Sequence, residues 1–172
     1  TEISRISALM YSGKIIEPPI RGLFCGEVLM KKLYGNIVTG AFVMRTNRFV
    51  IHAEIDGRME ICHMPNPGRM RELLFPGVKM YLVKSRNSLN RTAYRVIGVE
   101  RDGEVILLDT SKCNDVAHYL VSHHLIAGWE EYSVVQREVT MGDSRFDLLL
   151  GNEATGEVFP VEVKSCTLFG EK

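Results

Sequence analysis

From Ile37 onward the chain breaks into short runs rich in branched and aromatic residues, each closed by turn formers, which is the period-two signature of strands. Runs over 38–45, 49–55 and 59–64 are separated by Thr46-Asn47 and by Asp56-Gly57, the latter a strong two-residue hairpin signal. Pro65-Asn66-Pro67-Gly68 ends the third run because its prolines cannot donate to a ladder. Residues 69–74 have room for one helical turn before Phe75-Pro76-Gly77. Two more runs, 78–85 and 92–99, are joined across 87–90. Five short strands with a small helical insertion fit a closed OB-like β-barrel, which leaves no exposed edge.

The second half changes pattern. Gly103 turns the chain into a last apolar strand over 104–109, and Asp109-Thr110-Ser111 can cap a helix from about Lys112. On that helix Val116, Tyr119, Leu120 and His123 share a face until Gly128 stops it. A strand over 132–140 puts Val135 and Arg137 on one side and Val134, Gln136 and Glu138 on the other, and 141–144 returns it into Arg145-Phe146-Asp147-Leu148-Leu149-Leu150. Gly151, Asn152, Thr155 and Gly156 then turn the chain toward Val161-Glu162-Val163-Lys164-Ser165. A register pairing Leu150 with Phe159 sets Leu148 against Val161 and Asp147 against Glu162, with the two carboxylates roughly 5 Å apart. Lys164 shares the face of Glu162, while Val161 and Val163 take the opposite, buried face. Residues 1–36 are less regular: 3–10 suit a short helix, Glu17-Pro18-Pro19 is extended, and 27–33 have weak helical spacing. No function is assigned to them.

At 172 residues, with 45% hydrophobic and 24% charged side chains, the chain is long enough for one large or two small soluble domains. It holds no apolar run of the length a membrane span needs and starts without a secretory pattern, so cytoplasm is the expected compartment. Cys25, Cys62, Cys113 and Cys166 lie far apart, which favours scattered core thiols over disulfides or structural zinc. The five histidines show no ligand spacing either. Zero net charge hides an asymmetry: residues 1–99 carry 15 basic and 7 acidic residues, residues 100–172 carry 6 and 14. Docking of one half on the other is one reading of that field. A phosphate-gripping module is another, with Arg45, Arg48, Lys84, Arg86, Arg91 and Arg95 as the nucleic-acid-binding candidates and Phe42, Phe49, Tyr81 and Tyr94 interleaved among them.

Two acids and an amine on one hairpin face suit a hard divalent cation, which accepts carboxylate oxygens, keeps several waters and neutralises charge on a phosphodiester. Asp147 and Glu162 are the metal candidates, with Mg²⁺ or Mn²⁺ expected, and Lys164 would be held charged beside them to orient water or touch the phosphate. Solvated cross-strand ion pairs are the competing reading, and on the residues alone the two stand about even.

Arg145-Phe146-Asp147 followed by Val161-Glu162-Val163-Lys164-Ser165-Cys166-Thr167-Leu168 resembles the C-terminal signature of the sugar fermentation stimulation protein family, SfsA. A second block, Arg45 to Phe49, Cys62-His63-Met64-Pro65-Asn66-Pro67-Gly68-Arg69-Met70 and Phe75-Pro76-Gly77, is similar to the family's N-terminal pattern. The resemblance covers about residues 37–172 and implies an α+β chain with a basic OB-like five-stranded barrel (37–110) and a PD-(D/E)XK nuclease-like domain (111–172), while 1–36 is an N-terminal extension outside it. It implies catalytic roles for Asp147, Glu162 and Lys164, with Glu138 as a further metal-binding acid. DNA is the implied partner, with RNA as a variant, binding is largely independent of sequence, and no membrane is involved. A non-catalytic regulatory protein with a relict nuclease site is the alternative. The family's further helix and strand after Glu-x-Lys do not follow here, so a truncated domain is expected. Its apolar face at Val161 and Val163 would then lack a partner, giving marginal stability or rescue by homo-oligomerisation.

Overall fold

The computed structural model describes residues 8–11, 14–16, 25–85 and 91–165. In chain order its elements are β1 (Ala8–Tyr11), β2 (Lys14–Ile16), α1 (Cys25–Tyr34), β3 (Ile37–Asn47), β4 (Val50–Ile55), β5 (Arg58–His63), β6 (Lys79–Lys84), β7 (Tyr94–Arg101) and β8 (Glu104–Leu107). A single 3₁₀ turn, Thr110–Lys112, leads into α2 (Cys113–Ser122), β9 (Ser133–Met141), β10 (Ser144–Gly151) and β11 (Val158–Lys164). Among the described residues two compact units result: one of those within 26–111, and one of β1, β2, Cys25 and 112–165.

In the first unit the strands follow the order β5-β4-β3-β6-β7-β8, and β5 also pairs with β7 in parallel through Cys62↔Tyr94 and His63↔Arg95. That extra pairing closes β3 to β7 into the OB-like barrel and leaves β8 as an addition to β7. Period-two burial fills the interior: Ile51, Ala53 and Ile55 of β4 point inward with Cys62, Met80, Leu82, Val96 and Val99. Asp56 (φ 50) and Gly57 (φ 73) form the two-residue turn that joins Ile55 to Arg58, as their sequence predicts. The preceding turn falls two residues later than expected, at Arg48-Phe49, because Asn47 stays in β3 opposite Val50 and its Oδ1 accepts the Phe49 N–H at 2.9 Å. The insertion makes its one turn, with Leu74 N–H donating to Met70 O at 2.9 Å. Helix α1 seats Met30 on β7 where Gly98 leaves space: a Cβ there would lie 2.9 Å from Met30 Cε.

The second unit is a five-stranded sheet, β2-β1-β11-β10-β9, with α2 packed on β9, β10 and β11. The pairs Leu150↔Phe159 and Leu148↔Val161 give the expected register, which a buried face enforces because a one-residue slip would turn every apolar side chain outward. Four expectations change. Residues 8–11, overlapping the 3–10 stretch expected as a short helix, form a strand that pairs with β11 (Ala8↔Lys164, Leu9↔Val163), so β11 is an interior strand. Val161 and Val163 are 0% and 8% exposed, so the face expected to lack a partner is covered. Helix α2 stops at Ser122 rather than near Gly128, because His124 turns left-handed at φ 54, and its buried stripe is Cys113, Val116, Ala117, Leu120 and Val121. Tyr119 and His123 instead stack on each other at 3.9 Å. Finally, a bulge shifts β9 between Leu149↔Gln136 and Leu150↔Val134, so Val134 rather than Val135 aligns with Arg137. Val135 is left exposed.

Leu148 is 0% exposed at the centre of this ladder, between Arg137 and Val161. Leu148→Ala is expected to cost about 3 kcal/mol in urea unfolding, whereas Val158→Ala, at an exposed position, should stay within about 0.5 kcal/mol.

Candidate functional site

The β10–β11 ladder runs from Gly151↔Val158 to Leu148↔Val161. Beyond it the Val163 N–H donates not to a backbone carbonyl but to Asp147 Oδ2, at 2.7 Å. Asn114, in the first turn of α2, donates from Nδ2 to Asp147 Oδ1, also at 2.7 Å. The half-buried carboxylate is thus fixed by two strands and a helix. Each of its oxygens carries one N–H and keeps lone-pair capacity for another partner. Glu162 is half-buried on the interior strand, and its Oε1 accepts from Lys164 Nζ. The hydrogen bond that Lys164 donates to Glu162 and the charge of Glu162, with a further contribution from the charge of Asp147, hold the Lys164 ammonium above its ordinary pKa. Glu162 and Lys164 are thus joined directly, and the charge of Asp147 reaches Lys164.

Glu138 does not join them. It is exposed, and its Oε2 pairs with Arg145 Nη2 at 2.9 Å. Its φ of 54 is left-handed, unusual for a side chain of this size inside a strand. Among the described residues no three His, Cys, Asp or Glu side chains form a metal-holding group. A cation here would have two carboxylates, which suffices for Mg²⁺ or Mn²⁺ with water completing the shell. The donor set fits. Asn114 carried no signal in the sequence, since a lone amide in a helical first turn has many uses. Asp115 beside it bridges Lys112 and Arg137, each at 2.7 Å, and ties α2 to β9.

On the barrel, the basic candidates divide. Arg45 donates to the carbonyls of Asn47, Arg48, Asn66, Gly68 and Arg69, so its guanidinium pins the Pro-Asn-Pro-Gly turn to the β3–β4 turn. Arg95 forks onto buried Asp109 through Nε (3.0 Å) and Nη2 (2.7 Å). Arg48, Lys84 and Arg91 are exposed, and Arg86 lies outside the described residues. Of the aromatics, Phe42 and Tyr81 are buried, Tyr94 packs against the core, and Phe49 is 49% exposed. Beside Phe49, Met44 pairs with His52 and His52 with Ile61, which gives the barrel a partly apolar outer row.

Two family models match the chain: the SfsA N-terminal OB domain over residues 43–108 and the sugar fermentation stimulation protein RE domain over 111–172. The chain belongs to the SfsA family. A sugar fermentation stimulation protein homolog of Clostridium tetani is 36% identical over 77% of this chain and 57% of its own length, and one of Methanothermobacter thermautotrophicus is 33% identical over 84% and 59%. The structure of Pyrococcus furiosus SfsA in complex with Ca²⁺ is similar with a TM-score of 0.53 and 27% identity, over 70% of this chain and 51% of that one. The chain thus spans between half and three fifths of these relatives. The SfsA OB model coincides with the barrel, and the RE model begins one residue before Lys112. No helix among the described residues is long and apolar enough to cross a membrane.

The Arg95–Asp109 fork in the SfsA OB barrel has a testable sign. Burial pushes the Asp109 carboxyl up, but hydrogen bonds from Arg95 and Ser111 outweigh burial and hold it below the usual carboxylate range. A depressed folded value gives stability that is present above the unfolded pKa, near about 3.9, and lost as pH falls through the folded one. Arg95→Ala leaves a buried charge unpaired and is expected to cost about 3 kcal/mol at pH 7. The deficit should shrink in urea titrations as pH falls below about 4, where the unfolded chain takes up its proton first and the depressed folded carboxyl follows at lower pH.

Proposed function

We propose that this SfsA-family chain binds DNA largely without regard to sequence through its barrel, and carries a divalent-cation-dependent phosphodiesterase site on Asp147, Glu162 and Lys164. The observation that carries the second part is the fixed Asp147 carboxylate, bonded to the Val163 amide and to Asn114, with the Glu162–Lys164 pair beside it. Asp147 and Glu162 would hold Mg²⁺ or Mn²⁺, which supplies an acidified water and neutralises phosphate charge when bound. Lys164, kept protonated by its two acidic neighbours, orients water or the scissile phosphate. The Pyrococcus furiosus relative is described with Ca²⁺, a hard oxygen-seeking ion of the same class. The barrel part is supported by exposed Arg48 next to exposed Phe49, and by exposed Arg91, in an OB-type scaffold, a combination suited to backbone contacts and base stacking.

A second reading, DNA binding with a relict site, is favoured by one observation: Glu138 is engaged by Arg145, so the cluster has two acids rather than three. Two measurements separate the readings. Oligonucleotide affinity should fall steeply between about 50 and 200 mM salt, and a flat response removes the binding proposal. Supercoiled plasmid should be nicked with Mn²⁺ by wild type and not by Glu162→Ala or Lys164→Ala. Binding without nicking in wild type selects the relict site, and nicking that survives both substitutions assigns the activity elsewhere.

A further inference from the structure

In the barrel unit a cavity of about 470 Å³ opens beside the Pro-Asn-Pro-Gly turn. Arg45, Arg48, Arg69 and Arg71 line it with no carboxylate among the lining residues, and Pro67 and Leu74 supply apolar wall. Arg45 sets its width, because its donors go to carbonyls on both bounding turns. Carbonyls satisfy hydrogen bonds without cancelling the charge. Arg48, Arg69 and Arg71 are exposed and form no ion pair within the described residues. Four like charges around one hollow repel each other, and an anion offsets that cost. Arginine in particular presents a planar fork matched to phosphate oxygens. The volume lies in the range of small-ligand sites, and the proline and leucine wall offers a face to a sugar or base.

We propose that this cavity is a nucleoside-phosphate site, in which Arg48, Arg69 and Arg71 grip the phosphate while Pro67 and Leu74 cover the nucleoside. The occupant is one nucleotide unit, either free or at the phosphorylated end of a strand. The strand form rests on the reading of the barrel as DNA-binding, and the free form does not.

Calorimetric titration of the full chain with dAMP, inorganic phosphate and deoxyadenosine is the test. Wild type should bind dAMP and phosphate, with deoxyadenosine weaker by about tenfold or more, the loss of a charged hydrogen-bonded pair. Arg48→Ala and Arg71→Ala should each weaken dAMP by about tenfold with unchanged circular dichroism and urea midpoint, while Arg58→Ala, outside the lining, should not. Absent dAMP and phosphate binding at millimolar concentration, or equal affinity in the arginine variants and wild type, overturns the proposal. Displacement of dAMP by a 5′-phosphorylated but not a 5′-hydroxyl oligonucleotide identifies the strand end as occupant, and displacement by neither identifies the free nucleotide. Oligonucleotide binding that stays salt-dependent without any dAMP binding rejects the cavity and leaves DNA binding standing. dAMP binding without oligonucleotide binding does the reverse.

Discussion

A ladder that stops one step early organises the C-terminal unit. Where β10 and β11 cease to pair, the Val163 amide would be left without a backbone acceptor, and an unmet buried N–H costs about 1–3 kcal/mol. Asp147 meets it with a carboxylate oxygen. The same side chain that repairs the sheet is thereby locked in orientation, and Asn114 locks it a second time from α2. Folding stability and site geometry are one constraint here, because the acid cannot swing away without exposing an unmet donor. Lys164 follows one residue after that amide, so the end of the ladder also sets where the ammonium stands.

What was legible in the chain follows from which features are fixed by local chemistry. Asp56-Gly57 dictates a turn with two positive φ angles, and the apolar residues at alternate positions in β10 and β11 admit one register, so both could be read directly. The N-terminal strand could not. Ser12-Gly13 marks the end of residues 8–11, but a four-residue apolar run fits a helix face as well as a strand, and its partner, β11, lies some 150 residues away in the chain. The bulge at Val135 was hidden for a related reason: an extra residue in a run of alternating side chains leaves no trace until the partner strand is known. Helix α2 ends at a non-glycine left-handed residue, His124, where sequence rules point to the glycine four positions later.

The arginines make the same point about charge. Counting them locates a positive field, but not which guanidiniums remain to meet a ligand. Arg95 is committed to Asp109, and Arg45 to five backbone carbonyls, so both act by shaping the barrel surface. Exposed Arg48, Arg69 and Arg71 owe their common position to Arg45, whose bonds hold the two turns that carry Arg48 and Arg69. Among the aromatics burial decides similarly. Tyr81 is inside with its hydroxyl on Glu100 at 2.9 Å, whereas Phe49 stands on a turn that its own strand pairing leaves in solvent.

Glu138 bears on whether two acids or three serve the site, and magnitudes decide how much weight its resting position carries. Its left-handed backbone costs about 1–3 kcal/mol, while its pair with Arg145 is largely exposed and worth about 0–1 kcal/mol. The pair does not repay the strain, so the backbone is held by its surroundings, with the bulge between Leu149 and Leu150 in the same pair of strands. That fixes the Cα of Glu138 but not its carboxylate. Release from Arg145 costs little beside the attraction of a carboxylate to a divalent ion, so the weak pair is a poor barrier to a third ligand. The resting pair with Arg145 therefore does not by itself count against a third acid.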